Sequence, residues 1–239
     1  MELSQLLLIT VFVAFGAMTQ GSLGIGLTLV AGPVVLAIEP AFAPAPLMVA
    51  GQVIGLRHVM VDFSHIDRGT FKRATIGMPL GLALGLVVLS LMSEKALSIS
   101  IGLATAAAAA ALLTGLRVTN TPRVDAMGGA GIAFCSVTAA LPGPPAVIAF
   151  SSMVAATMRA TVAAMIIVIA AASSVGLAFT GRFGRRELEL LAILMPGVLL
   201  GLVAARYVRP HIDRQWFRPA VLVFALIGGL ALAARSAMA

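Results

Sequence analysis

Along the chain, long apolar runs alternate with short polar joints. The runs fall near 4–20, 24–38, 43–62, 72–92, 96–116, 126–141, 144–158, 161–181, 187–207 and 217–234. They predict membrane helices, and the short joints predict that consecutive helices pack as neighbours. Two stretches depart from this plan. Residues 4–38 and 126–158 are each too long for one crossing at a rise of about 1.5 Å per residue. Each also holds helix-breaking residues, GSLGIGLTLVAGP from Gly21 to Pro33 and FCSVTAALPGPP from Phe134 to Pro145. Backbone that stops being helical inside lipid leaves N–H and C=O groups that lipid cannot pair, so it persists only against protein or a watered cavity. Each stretch is therefore either a broken, tilted helix or a hairpin of two short helices. Two such breaks point to a solute site.

Composition narrows the class. Sixty per cent of the 239 residues are apolar, 10% are charged, and mean hydropathy is +1.08; a soluble domain carries about a quarter charged residues. The chain could supply roughly eight spans of ~20 residues, which leaves no room for a soluble domain. The first apolar run follows Glu2, with no basic residue before Arg57, so it lacks the cationic start of a cleavable signal peptide and is expected to stay in the mature protein. A net charge of +7 would suit nucleic acid, but the Lys and Arg residues sit mostly at the ends of apolar runs. That placement sets membrane orientation instead. One cysteine, Cys135, excludes an internal disulfide and a cysteine-built metal site.

The two breaks are spaced like copies. Pro33 and Pro145 lie 112 positions apart, Gly81 and Gly85 match Gly197 and Gly201 at an offset of 116, and Met78-Pro79 matches Met195-Pro196 at 117. The expected architecture is an all-α polytopic membrane protein of two homologous repeats, 1–119 and 120–239. Each repeat has a broken helix or helical hairpin plus three transmembrane helices. Hairpins would gather Arg57, Arg68, Lys72, Arg73, Arg117, Arg123, Arg159, Arg206, Arg209, Arg214 and Arg218 on the cytoplasmic face, against five basic residues opposite; single spans would divide them ten to six. Hairpins give each half an odd number of crossings and so invert the repeats. The charge count favours inversion slightly.

At the first break Gly21, Gly24 and Gly26 permit tight backbone, and a helix resuming near Leu27 presents free N–H groups and the positive end of its dipole. Gln20, Ser22 and Thr28 add polar side chains. At the second break Gly143, Pro144 and Pro145 suit a helix start, while Ser136 and Thr138 supply hydroxyls. Gln52, mid-way along its run, faces either a partner helix or the solute path. Arg57 snorkels to the interface or gates the cytoplasmic side. His58 is a candidate for gating or coupling. With Asp62 and His65 it shares one face only if the helix continues that far, a weak pattern for a metal. No metal or other cofactor is expected. No carboxylate pair, Ser-His or Cys-His arrangement or phosphate loop marks an enzyme, and nothing marks an ATP-driven pump. The GxxxG ridges at Gly77, Gly81 and Gly85 and at Gly197 and Gly201 serve internal packing or a homodimer.

Leu23-Gly24-Ile25-Gly26 with Pro33, Gly143-Pro144-Pro145 and Leu56-Arg57-His58 resemble motifs of the TauE/SafE family, also called the toluene-sulfonate uptake permease family. The resemblance covers almost the whole chain. It implies a multi-pass inner-membrane protein of two halves that moves small sulfur-containing or carboxylated anions by secondary transport. This chain departs from the family pattern with Leu27 and Thr28 after the first break and Ser136, Thr138, Ala139 and Ala140 at the second, where glycines are usual. The expected function is transport, with export favoured, of sulfite, organosulfonates or small carboxylates between lipid-embedded helices. Coupling is to the membrane potential, to a co-transported proton or sodium ion, or through His58. A passive anion channel and a non-transporting scaffold are the alternatives.

Overall fold

The computed structural model describes residues 1–24, 26–115, 118–179, 181, 183–208 and 217–238. Ile25 of the first motif and Arg117, Arg209 and Arg214 of the charge pattern lie outside the described residues, as does the side chain of Arg218. The described residues form α1 (Leu3–Leu23), α2 (Leu27–Ile38), α3 (Ala45–Asp62), α4 (Arg68–Leu91), α5 (Glu94–Leu113), α6 (Pro122–Ala139), α7 (Gly143–Ala149), α8 (Ala155–Phe179), α9 (Arg185–Val208) and α10 (Phe217–Met238), with no strand among them. Six of these, α1, α4, α5, α8, α9 and α10, are long and apolar enough to cross a membrane. Their outward faces are apolar. On α4 the exposed positions Ile76, Leu80, Leu84, Val87 and Leu91 form one stripe, and the buried positions Ala74, Met78, Gly81, Gly85 and Leu89 form another. Both follow the helical period. Large aliphatic groups on the exposed stripe suit lipid, and small ones on the buried stripe admit a neighbouring helix.

Helix α1 ends at Gly24, whose φ of 83° is left-handed and whose N–H bonds Gln20 O at 2.8 Å. Helix α2 then runs back along α1. A Cβ on Gly16 would lie 2.9 Å from Leu27 O and 3.5 Å from Ala31 Cβ, and one on Gly26 would lie 2.7 Å from Thr19 Cγ2. Helix α6 ends in the same manner at Ala140, φ 53°, with Leu141 N–H reaching back to Cys135 O at 3.0 Å. Helix α7 returns along α6, since a Cβ on Gly131 would meet Pro145 and one on Gly128 would meet Ala149. The chain leaves α7 at Ala149 and begins α8 at Ala155, so the apolar runs read at 144–158 and 161–181 are divided earlier than the hydrophobic pattern indicates. Phe150 is fully buried there and Ser151 Oγ accepts the Val118 N–H at 2.8 Å. A buried aromatic and a serine pairing with backbone hold a turn that hydrophobicity hides.

The glycine ridges seat helices side by side. Helix α4 packs parallel to α6, where a Cβ on Gly77 would fall 1.9 Å from Ala126 O and one on Gly81 2.0 Å from Ala130 O. Helix α9 packs parallel to α1, where Gly197 faces Thr10 O and Gly201 faces Ala14 O. Helices α5 and α10 cross antiparallel at Gly102 and Gly229, and α3 packs on α8. Both GxxxG ridges are thus occupied within the chain.

A polar network joins the starts of α4 and α6. Asp67 caps α4 by accepting the N–H groups of Gly69 and Thr70 at 2.9 and 3.2 Å. Burial alone would raise its pKa, but the bonds from Thr70 and Gly69, with the Arg73 charge, hold the carboxyl below its ordinary value. Arg73 Nε donates to the buried Asp125 Oδ2 at 2.7 Å, and Asn120 Nδ2 donates to its other oxygen at 3.0 Å. A buried carboxylate needs such partners.

Overpacking tests the helix seats. Gly81→Ala is expected to destabilise the protein by about 1–3 kcal/mol, because backbone must move. Ala130→Gly, which vacates only a methyl on the facing helix, should be tolerated better. Unfolding midpoints in mild detergent check the order.

Candidate functional site

The two helix breaks touch. Thr28 Oγ1, on the first turn of α2, donates to Ala140 O at the end of α6 at 2.6 Å in a buried setting. Around that contact lies a cavity of about 20 Å³ lined by Gln20, Gly24, Gly26, Thr28, Leu29, Ala140, Leu141, Pro142, Gly143, Pro144 and Ile166. No charged side chain is among them. The space holds roughly one water.

Each polar group there has a local cause. Gln20, one turn before the end of α1, accepts the Leu27 N–H on Oε1 at 3.0 Å and donates from Nε2 to Gly51 O at 3.4 Å. It therefore caps α2 and ties it to α3. The Val30 N–H is taken by Gly26 O at 2.9 Å. Thr28 and Leu29 stand between these two, in the first turn of α2, and both line the cavity; a helix carries the positive end of its dipole at this turn. Helix α7 contributes differently. Pro144 and Pro145 carry no N–H, so its start brings shape rather than donors.

Of the residues singled out in sequence, Gln20, Gly24, Gly26, Thr28, Gly143 and Pro144 come together around the cavity. The others stand outside it. Gly21 O is bonded by His58 Nε2 at 3.0 Å, and Pro145 packs on Gly131. Thr138 Oγ1 donates to Phe134 O of its own helix at 2.7 Å. Ser22 and Ser136 are buried, with hydroxyls that have no hydrogen-bond partner. Gln52 is half-buried, and its neighbour Gly51 makes the contact with the first break. Leu29, Leu141 and Ile166 carried no polar signal in sequence. Ile166 reaches the cavity from α8.

A family model described as Sulfite exporter TauE/SafE matches residues 8–232. The chain belongs to the TauE/SafE family. No curated protein and no solved structure matches it. TauE/SafE is a transporter family, and its membership together with the apolar helices makes this a multi-pass membrane protein.

Within this TauE/SafE chain, Arg57 is half-buried and its Nη1 donates to Leu202 O of α9 at 3.4 Å. Since a carbonyl only accepts, the bond to Gly21 O makes His58 Nε2 a donor. His58, Asp62 and His65 do not share a helical face: α3 ends at Asp62, a 3-10 turn spans Phe63–His65, and His65 is exposed while His58 is buried.

Two substitutions at the tip contact should move stability in opposite directions. Thr28→Val removes the donor to a buried carbonyl and is expected to lower stability by about 1–3 kcal/mol. Ala140→Gly removes a Cβ from a left-handed position and should raise it by about 1 kcal/mol. Unfolding midpoints of the purified variants decide both.

Proposed function

We propose that the protein is a secondary transporter of the cell inner membrane that exports small anions such as sulfite, organosulfonates or small carboxylates. The observation that carries this reading is the contact of Thr28 with Ala140 at a cavity formed by the start of α2 and the end of α6 and lined by no acidic side chain. An anion finds donors and a dipole there without a carboxylate to repel it.

Alternating access between two inverted repeats is part of the proposal. Exchanging 1–119 with 120–239 exchanges α1 with α6 and α4 with α9, and the pairing of α4 with α6 then becomes that of α9 with α1. The pairs α5 with α10 and α3 with α8 map onto themselves. The helix ends bearing Arg57, Arg68, Lys72, Arg73, Arg123, Arg159 and Arg206 lie opposite those bearing Lys95, Arg185, Arg186 and Arg235, and the excess of basic residues favours the cytoplasm for the first group. The hairpins α1–α2 and α6–α7 then approach from opposite faces. A cavity of about 20 Å³ is too small for the four heavy atoms of sulfite, so the tips must part to load it. Closing the tips excludes water, and parting them toward one face or the other exposes the site alternately. Helix α2, backed by the glycine-mediated contacts of α1, would be the moving arm of the first hairpin.

Proteoliposomes loaded with unlabelled sulfite test the reading. Entry of radiolabelled sulfite should saturate and be stimulated by internal sulfite. Thr28→Leu, which fills the cavity, is expected to lower flux at least about tenfold, the scale of one hydrogen bond to a charged group. Thr138→Val should remain within about threefold of the parent. Non-saturable flux without counter-stimulation would indicate a channel, and no flux of any tested anion would leave a scaffold.

A further inference from the structure

The cavity where the hairpin tips meet has no charged lining, yet an anion placed there loses the solvation of water. Hydrogen-bond donors and the helix dipole offset part of that loss, and a cation beside the entrance adds a longer-range attraction. Arg159 supplies the cation. It lies on α8 seven residues before Ile166, and Ile166 lines the cavity. Residues seven apart share a helix face, about 10 Å apart along the axis. The face of α8 that meets the cavity therefore carries an arginine at its basic, cytoplasmic end.

A second contact places Arg159 against the cavity wall itself. Gly24, also a lining residue, is packed by the arginine stem: a Cβ built on Gly24 would stand 3.0 Å from Arg159 Cγ and 3.4 Å from its Cδ. A Cβ there would press on that stem, and the left-handed φ of Gly24 favours glycine for a separate reason. The side chain is half-buried, so its charge acts in a medium of lower polarity than water.

We infer that Arg159 is the specificity-determining cation of the anion path, standing at the Gly24 end of the cavity and engaging a small oxyanion as it passes the first hairpin tip from the cytoplasmic side. The inference rests on the transport reading above. A planar guanidinium matches an oxyanion of sulfur or carbon with two parallel N–H bonds, whereas an ammonium meets it as a point charge. Arg159 thereby selects for anions over neutral solutes of the same size. The glycine at position 24 lets it stay beside the tip while the hairpin moves.

Concentration dependence of sulfite flux in proteoliposomes tests this, with Arg159→Gln and Arg159→Lys compared to the parent protein. Arg159→Gln should raise KM at least about tenfold, with maximal flux falling less and the unfolding midpoint retained. Arg159→Lys should recover most of the loss. A cysteine exchange gives the same comparison within one folded protein: Arg159→Cys on a Cys135→Ser background, before and after a cationic or a neutral thiol reagent. Only the cationic adduct should lower KM. An unchanged KM in Arg159→Gln, or equal recovery with both reagents, overturns the inference and leaves Arg159 an orientation residue. Saturable flux in the parent protein keeps the transport reading standing in that case; its absence would overturn both.

Discussion

The structure depends on how backbone polar groups are satisfied where two helices stop inside an apolar chain. At the first stop Gln20 does most of this work, its carbonyl taking the Gly24 N–H and its side chain taking the Leu27 N–H. At the second, a left-handed Ala140 closes α6 through Ser136 and Cys135 carbonyls. Between the two stops, Thr28 Oγ1 takes the Ala140 carbonyl. Thr28 and Ala140 thus complete each other, and parting them would expose groups that only water or a ligand can pair.

The long helices hold the tips in place. Helix α1 is seated on α9 and α6 on α4 by glycines that bring backbone against backbone, a contact that tolerates little displacement. The return arms are shorter. Helix α2 spans twelve residues and α7 seven, each less than the ~20 needed to cross the hydrocarbon core. The proposed transport of anions by this TauE/SafE protein would use this framework of paired helices with short arms meeting inside.

Much of this was legible in sequence because glycine and proline are informative in an apolar chain. The clusters from Gly21 to Pro33 and from Phe134 to Pro145 mark the stretches where α1 gives way to α2 and α6 to α7. The glycine ridges on α4 and α9 marked helix contacts for the same reason. Charge alone left hairpin and single span nearly balanced, since a single span at the second break flips all that follows and exchanges Arg159, Arg206, Arg209, Arg214 and Arg218 for Arg182, Arg185, Arg186 and Arg235, five basic residues for four. The capping role of Gln20 was hidden, because an amide in a helix does not reveal which backbone group it meets. Ile166 was hidden because an apolar lining residue has no distinguishing chemistry. The pattern of His58, Asp62 and His65 assumed a continuous helix, and the 3-10 turn after Asp62 separates it. The early end of α7 was masked by the hydrophobicity of Phe150 and its neighbours, although Ser151 and Ser152 lie there.

The central claim is that the two tips must separate for an anion to pass. Cysteines at positions 28 and 140, introduced as Thr28→Cys and Ala140→Cys on a Cys135→Ser background, can be joined by a short thiol-specific cross-linker in proteoliposomes. The account predicts that joining them stops saturable sulfite flux and that a cleavable linker restores it on reduction. Undiminished flux through the cross-linked protein would contradict it.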